Sequence, residues 1–542
     1  MGARPSSFKA VEVEEVKAPT WSTAQQAIFW WFEGKCAICG DRAEYETEYG
    51  PKPCYPCLIG EDEDRTNLIV RARAGTGKTT TIVEGVNRAP EESILVCAFN
   101  KGIADTLNQK ITNSRAEAKT LHGIGMRAIM RNWRGLQVAK PTSKRADFLT
   151  DKVVPIGTPY QMKKLVSLLH TKGREMCPTV EGGYSTDALL KLALFFNLEP
   201  SEGWAPKFTV DHIVKWASEA MAYAKENPPR YEVGIDFADM IYLPLAWDLL
   251  TKDYQLVVVD EAQDMTKAQL EIVQRVCDGR LCFVGDDRQA IYAFRGADTG
   301  SLDRLKTELN ALELPLTTTY RCGQSIVERA RLLVPDFEAG PANPVGIVED
   351  VEDGDLLQLV KPGDFVLSRL NAPLVSLTLR LLRNGVRARM AGRDIGAGIL
   401  SILKRCKVES WTPVTDALNA IDAWERKMTT RYASFGELQL VDQTRDQADM
   451  LRALMEDADT MRQVMANCDH LFTDDPDATH VVCSSIHKAK GLEAQKVYLL
   501  WDSLYRRGVN QEEQNLEYVA TTRAISYLGI VRGTPSLQRR VQ

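Results

Sequence analysis

The stretch from Asn67 to Thr81, NLIVRARAGTGKTTT, decides the fold. Leu68, Ile69 and Val70 are a short apolar run of the kind that fills a parallel strand covered on both faces. Ala72 to Thr79 then fits a phosphate-binding loop that opens into a helix near Lys78. Gly75 and Gly77 let the backbone approach a polyphosphate and turn its N–H groups inward, and the helix points its positive end at the same place. Ala72, Arg73, Ala74, Thr76 and Thr80 complete the loop. Lys78 reaches the β/γ-phosphates, and the Thr79 hydroxyl holds Mg²⁺. Ala72 stands where the usual pattern has its first glycine, and the sequence assigns Arg73 no role.

A second apolar strand, Leu256 to Val259, ends in Asp260-Glu261-Ala262-Gln263-Asp264. Adjacent carboxylates at the end of a parallel strand suit nucleotide hydrolysis, with Asp260 on Mg²⁺ and Glu261 polarising the attacking water. A third, Leu281 to Val284, leads into Gly285-Asp286-Asp287-Arg288-Gln289-Ala290-Ile291-Tyr292-Ala293-Phe294. Ser93 to Cys97 is a fourth, running into Phe99-Asn100-Lys101. An aromatic, an amide and a base at a strand end suit a grip on single-stranded nucleic acid, by stacking and phosphate contact. Thr120 and His122 form either a similar contact or a plain loop. Before the phosphate loop, Pro19 to Phe32 reads as a helix capped by Ser22 or Thr23, with Ala27, Trp30 and Trp31 as its apolar face.

Between that helix and the phosphate loop stand Cys36-Ala-Ile-Cys39-Gly and Cys54-Tyr-Pro-Cys57, a C-x2-C-x14-C-x2-C array. Two such pairs suit tetrahedral thiolate coordination of zinc; an iron–sulfur cluster and unliganded thiols are the alternatives. Other cysteines, among them Cys97, Cys282 and Cys483, sit singly in apolar runs and read as reduced core residues.

The chain has 542 residues, 44% of them hydrophobic, enough for about three or four domains. Its formal charge of −6 does not mark a nucleic-acid binder, but a binding channel is a local matter. From Lys101 to Glu175 bases outnumber acids, either as a contact surface or as a solvated face, whereas Asp442 to Asp477 is acidic. No apolar run is long enough to span a membrane and the N-terminus has no apolar signal core, so an intracellular, cytoplasmic protein is expected.

In this order the motifs resemble the UvrD/Rep-like family of superfamily 1A DNA helicases, from Gln25 to about Ile530. The resemblance implies an α/β fold: two RecA-like parallel-sheet domains with ATP between them, DNA across their tops, and helical insertions. It implies that Gln25 reads the adenine edge and that Gln263 and Gln289 sense the γ-phosphate. In Thr318-Thr319-Tyr320-Arg321, Tyr320 would stack on adenine and Arg321 would reach the γ-phosphate. Ser485 to Glu493 resembles the family's fifth motif, with Glu493 on the ribose and His487 near DNA. Tyr518 to Ala524 resembles the sixth, making Arg523 the second arginine finger. DNA would be held by Phe99, Asn100, Lys101, Thr120, His122, Tyr292, Phe294 and His487. Phe294 stands where many relatives have tryptophan.

The expected division is 1–110 for the first RecA-like domain, with a zinc module at 34–60. A helical insertion at 111–235 follows, and the first domain resumes at 236–315. The second domain occupies 316–400 and 480–542, around a short helical, acidic insertion at 401–479 in which Leu451, Leu454 and Met461 share an apolar face. Soon after the sixth motif the chain ends, so no appended nuclease is expected. The implied function is an ATP- and Mg²⁺-dependent helicase that translocates 3′→5′ on single-stranded DNA and unwinds duplex, with single-stranded DNA and single/double-strand junctions as partners. Its setting would be replication, repair or recombination, with proteins of those pathways as partners and no membrane. Two alternatives are a translocase that strips proteins from DNA with little unwinding, and a zinc-bearing adaptor switched by nucleotide. RNA is an alternative substrate on residues alone; the Gly285–Ala297 stretch resembles the DNA branch.

Overall fold

The computed structural model describes residues 21–35, 37, 46–47, 50–51, 67–132, 144–176, 186–196, 198, 200, 207–227, 234–291, 301–434, 438–456, 458–473, 479–505 and 508–534. The four cysteines of the expected zinc module, Cys36, Cys39, Cys54 and Cys57, lie outside them, as do Tyr292 and Phe294.

Two all-parallel sheets organise the chain. In the first, the spatial order is Ala116–Thr120, Ile94–Ala98, Tyr254–Val259, Cys277–Gly285, Leu68–Ala72, Leu312–Leu316. Side chains alternate across a strand, so Leu68–Ala72 feeds two cores. Leu68, Val70 and Ala72 pack with Ile28, Phe32 and Val86 on one face. Ile69 packs with Val257, Ile272 and Phe283 on the other. Burial on both faces is what its unbroken apolar run requires.

The helix Thr23–Phe32 starts at a capping box in which Ser22 Oγ accepts from the Gln25 N–H and Gln25 Oε1 accepts from the Ser22 N–H. Its buried residues are Gln25, Ile28, Phe29, Trp31 and Phe32. The expected face of Ala27, Trp30 and Trp31 is therefore displaced: the i, i+3, i+4, i+7 set from Gln25 faces the sheet, and Ala27 and Trp30 are only half-buried.

Among the described residues, the helices Leu121–Asn132, Lys144–Val153, Tyr160–Met176, Thr186–Phe195, Val210–Glu226 and Phe237–Ala246 lie between the strands Ala116–Thr120 and Tyr254–Val259. Strand Ala116–Thr120 belongs to the first sheet, so the helical segment begins after it. Met162, Val166, Leu169, Leu189, Ile213 and Met221 form its core. Beside that core, Arg174 pairs with Asp236 (2.8 Å) and Asp239 (2.5 Å), and Arg145 with Asp239 (3.0 Å), all four side chains being buried. Several bases of the run from Lys101 to Glu175 are paired: Arg115 with Glu92, Lys119 and Arg127 with Glu117, Arg131 with Asp253, Lys163 with Asp151. As a contact surface the run is thus weaker than its sequence suggests.

The second sheet runs Ile347–Glu352, Ala524–Arg532, Ala494–Leu500, Phe365–Ser368, Val481–Ser485, Ala388–Ala391, Phe472–Thr473. Helices Val414–Ser434, Leu438–Met455 and Met461–Leu471 contribute Ala417, Ile421, Leu451, Leu454, Met461 and Val464 to the core that includes Leu377, Leu381 and Cys483. Leu451 and Leu454 lie on one helix and Met461 on the next, because the chain turns between Met455 and Thr460. Among the described residues no helix is long and apolar enough to cross a membrane.

Candidate active site

A parallel sheet delivers every strand's carboxyl end to one rim. The phosphate loop, Asp260–Glu261, Asp286 and Phe99 each follow a strand of the first sheet, so they share that rim. Gly75 and Gly77 have φ of +70° and +80°, a region that costs an L-residue about 1–2 kcal/mol. A Cβ on Gly75 would also lie 2.5 Å from Thr319 Oγ1 and 2.6 Å from Arg321 Cβ. Gly77 caps the helix Lys78–Arg88, with Thr79 and Thr80 exposed in its first turn. The Thr76 hydroxyl donates instead to the Arg73 carbonyl, closing the loop on itself at 2.9 Å.

Lys78 Nζ donates to both Glu261 oxygens, at 3.1 and 3.2 Å. Burial opposes its charge, but the carboxylates of Glu261, Asp260 and Asp286 outweigh that and hold its pKa above the ordinary lysine value. Glu261 has φ 53°, a left-handed backbone that is uncommon outside glycine and clusters at functional sites. Burial pushes its carboxyl up, yet Lys78 and Lys490 pull it below the usual carboxylate range. Asp260 moves the other way, raised by burial and by Glu261 beside it. A carboxyl disfavoured by a neighbouring carboxylate is a hard oxygen donor whose charge a divalent cation would stabilise.

From Glu261 a polar chain crosses the rim. Gln263 Nε2 donates to Glu261 Oε2 (2.6 Å), and its Oε1 accepts from the Asp286 N–H (3.1 Å). Gln289 Nε2 donates to Asp286 Oδ2 (2.7 Å). Lys490, delivered by the second sheet, then donates to Asp264 Oδ2 (2.6 Å) and to the Gln289 carbonyl (2.8 Å). Gln25 is buried beneath the same helix, its Nε2 on Thr81 Oγ1 at 3.1 Å.

Two arginines reach this rim from beyond the first sheet: Arg321 follows the short strand Thr318–Thr319, which pairs with Glu338–Ala339, and Arg523 leads into the second-sheet strand Ala524–Arg532. The Arg321 carbons lie against Gly75 and its Nε pairs with Glu493 at 2.5 Å, so these two expected nucleotide contacts meet each other. Arg523 is buried, with Nε on the Val519 carbonyl and Nη1 on the Leu492 carbonyl, and burial beside Arg321 lowers its pKa to about 10. Tyr320 is 54% exposed, and its N–H donates to the Gly75 carbonyl at 2.9 Å.

Of the expected DNA contacts, Phe99 is 61% exposed at its strand end. Asn100 caps the next helix by accepting from the Ile103 N–H, and Lys101 opens it. Thr120 lies beside them, since Ala98 and Thr120 are paired in register. The His122 ring meets Phe237 edge-on at 5.9 Å, and burial lowers its pKa. His487 is half-buried just after the strand Val481–Ser485. Sequence reasoning placed Arg73 in the phosphate loop without a role, and missed Lys490 and the Tyr518 hydroxyl as parts of the site. Both stand in stretches already singled out, Lys490 three residues beyond His487 and Tyr518 at the head of Tyr518 to Ala524.

Residues 61–310 match the UvrD/REP helicase N-terminal domain, and residues 480–531 the UvrD-like helicase C-terminal domain. F-box DNA helicase protein 1 of Schizosaccharomyces pombe is 24% identical over 503 residues, 84% of this chain and 54% of that protein. DNA helicase II of Haemophilus influenzae is 22% identical over 334 residues, 54% of this chain and 43% of that protein. ATP-dependent DNA helicase Rep of Escherichia coli is 34% identical over 113 residues, 18% of this chain and 16% of that protein. The chain thus spans about half the length, or less, of these curated relatives.

Proposed function

Because the chain belongs to the UvrD/Rep helicase family, we propose that it is a DNA motor: hydrolysis of ATP in the cleft between two RecA-like units moves it 3′→5′ along single-stranded DNA and opens duplex ahead. The observation that carries this reading is the approach of Arg321, from beyond the first sheet, to Gly75 of the phosphate loop. Lys78, Asp260, Glu261, Gln263 and Gln289 stand at the first sheet's rim, whereas Arg321 follows the strand Thr318–Thr319 outside it and Arg523 leads into the second sheet's strand Ala524–Arg532. Phosphoryl transfer gains rate from cations that meet charge developing on the γ-phosphate. Supplied by the opposite unit, those cations make hydrolysis depend on cleft geometry.

Thr79 and Asp260 would hold Mg²⁺, which would neutralise charge on the phosphates. Lys78 exchanges Glu261 for the β/γ-phosphates, and Glu261, so released, orients the attacking water and takes its proton. Gln263 and Gln289 link that event to Asp286. Tyr320 offers an exposed ring to the adenine, beside Gln25. Arg321 leaves Glu493 for the γ-phosphate, freeing Glu493 for the ribose. Phe99, Asn100, Lys101, Thr120, His122, Tyr292, Phe294 and His487 grip the strand. The cysteine array holds one zinc as a structural or DNA-contacting insertion. Single/double-strand junctions and proteins of replication, repair or recombination are the proposed partners.

A translocase that clears proteins with little unwinding is the second reading. It is favoured by the helices of 414–471, which are anchored in the second sheet's core through Ala417, Ile421, Leu451 and Met461 and hold only a small apolar cluster of their own at Met428, Tyr432, Leu440 and Val441. The test is ATP-dependent strand separation on matched duplexes with a 3′ or a 5′ single-stranded tail, using Lys78→Ala as the blank. Unwinding from the 3′ tail alone is expected. Hydrolysis stimulated by single-stranded DNA without unwinding would select the translocase, and hydrolysis indifferent to DNA would sink both.

A further inference from the structure

Three successive residues of the phosphate loop are each tied to a different part of the second-sheet unit. The Arg73 guanidinium reaches Asp336, with Nε at 3.0 Å and Nη2 at 2.9 Å from Oδ2. The Ala74 N–H donates to the Tyr518 hydroxyl at 3.0 Å. Gly75 accepts from Tyr320 through its carbonyl at 2.9 Å. Asp336 and Tyr518 belong to one packed piece, since Phe337 meets the Tyr518 ring edge-on at 5.7 Å inside the second unit's core.

The same guanidinium holds the first unit. Arg73 Nη1 lies 3.1 Å from Asp286 Oδ1 and 2.8 Å from Asp287 Oδ1, and Asp286 is the residue on which Gln263 and Gln289 converge. Three carboxylates from two units therefore face one buried cation, with Arg71 assisting on Asp287 at 3.0 Å. Without Arg73 they would repel one another. An arginine suits the task because its fork makes several directed bonds at fixed angles.

We propose that Arg73 is a positioning residue that clamps the phosphate loop to both sheet units at once, Asp286–Asp287 on one side and Asp336 on the other. Cleft opening then pulls on the loop that holds the nucleotide, and cleft closing seats Arg321 over Gly75. This inference rests on the reading of the site as an ATP hydrolase.

Asp336 is the residue to change, because its side chain is 44% exposed and its loss leaves Arg73 paired with Asp286 and Asp287. ATP hydrolysis by the full chain is measured for wild type, Asp336→Asn, Asp336→Glu and Lys78→Ala, each checked for an unchanged melting temperature. For Asp336→Asn the expected result is kcat lowered about fivefold with KM for ATP within about twofold, and for Asp336→Glu a return toward wild type. A wild-type kcat in Asp336→Asn, a parallel rise in KM, or no recovery in Asp336→Glu overturns the clamp while leaving the hydrolase reading intact. Hydrolysis that survives in Lys78→Ala overturns the hydrolase reading, and the clamp with it. Should Asp336→Asn fail to fold, Asp336→Ser is read by the same criteria.

Discussion

Replacing Glu261 by glutamine separates nucleotide binding from turnover. The carboxylate accepts two bonds from Lys78 and one from Gln263, at 3.1, 3.2 and 2.6 Å. Glutamine keeps the shape and loses the charge. At about 3 Å and an effective dielectric of about 20, the gross attraction between ammonium and carboxylate is roughly 5 kcal/mol. Desolvation and lost mobility offset most of it, leaving a net on the order of 1 kcal/mol. Nucleotide must overcome that net term to take Lys78, so Glu261→Gln is expected to bind ATP about fivefold more tightly. Chemistry goes the other way, because loss of a positioned general base costs about 10²–10⁴-fold in rate. Equilibrium titration with a fluorescent ATP analogue reads the first effect, and steady-state hydrolysis with saturating single-stranded DNA reads the second. Hydrolysis within threefold of wild type, or weakened nucleotide binding, would refute the assignment of Glu261 as base and as partner of Lys78.

Two further outcomes follow from the remaining residues. His170 is wholly buried against Thr150 Oγ1 (3.1 Å), and burial, with Arg174 nearby, lowers its pKa from 6.5 to about 3. The unfolded chain therefore binds the proton first, so the stability contributed by neutral His170 is present above pH 6.5 and lost as pH falls towards 3. The loss is about 1.4 kcal/mol by pH 5.5; His170→Gln should flatten this acid limb in urea melts, and an unaltered limb would show that other groups set it. Metal analysis of the purified protein should find about one zinc per chain, lost in a Cys36→Ser/Cys54→Ser double variant. A metal-free, fully folded wild type would exclude the zinc module.

The strands were legible because burial on both faces leaves a plain mark, an unbroken apolar run, as in Leu68–Val70 and Leu256–Val259. Lys78, Asp260 and Glu261 were legible because each stands next to such a run, and a parallel sheet brings all its strand ends to one rim. The face of the first helix was misread: Trp30 is as apolar as Trp31, and only the direction of the sheet decides between them. The basic run after Lys101 could not be read further from sequence for a related reason, since its partners Glu92, Asp239 and Asp253 lie outside the segment.

What the sequence determined by itself is therefore local chemistry: which strand ends carry phosphate-binding, acidic and arginine groups, and in what order. The tertiary structure decided which of them meet. Arg73 had no role in the sequence because its partners Asp286, Asp287 and Asp336 lie more than 200 residues away. Lys490 closes on Asp264 across a similar separation. Ion pairs have no sequence period; they form where packing excludes water and brings opposite charges within about 3 Å. Strand pairing within the first sheet makes such a place for Arg73 with Asp286 and Asp287, and the docking of the second unit makes it for Arg73 with Asp336 and for Lys490 with Asp264.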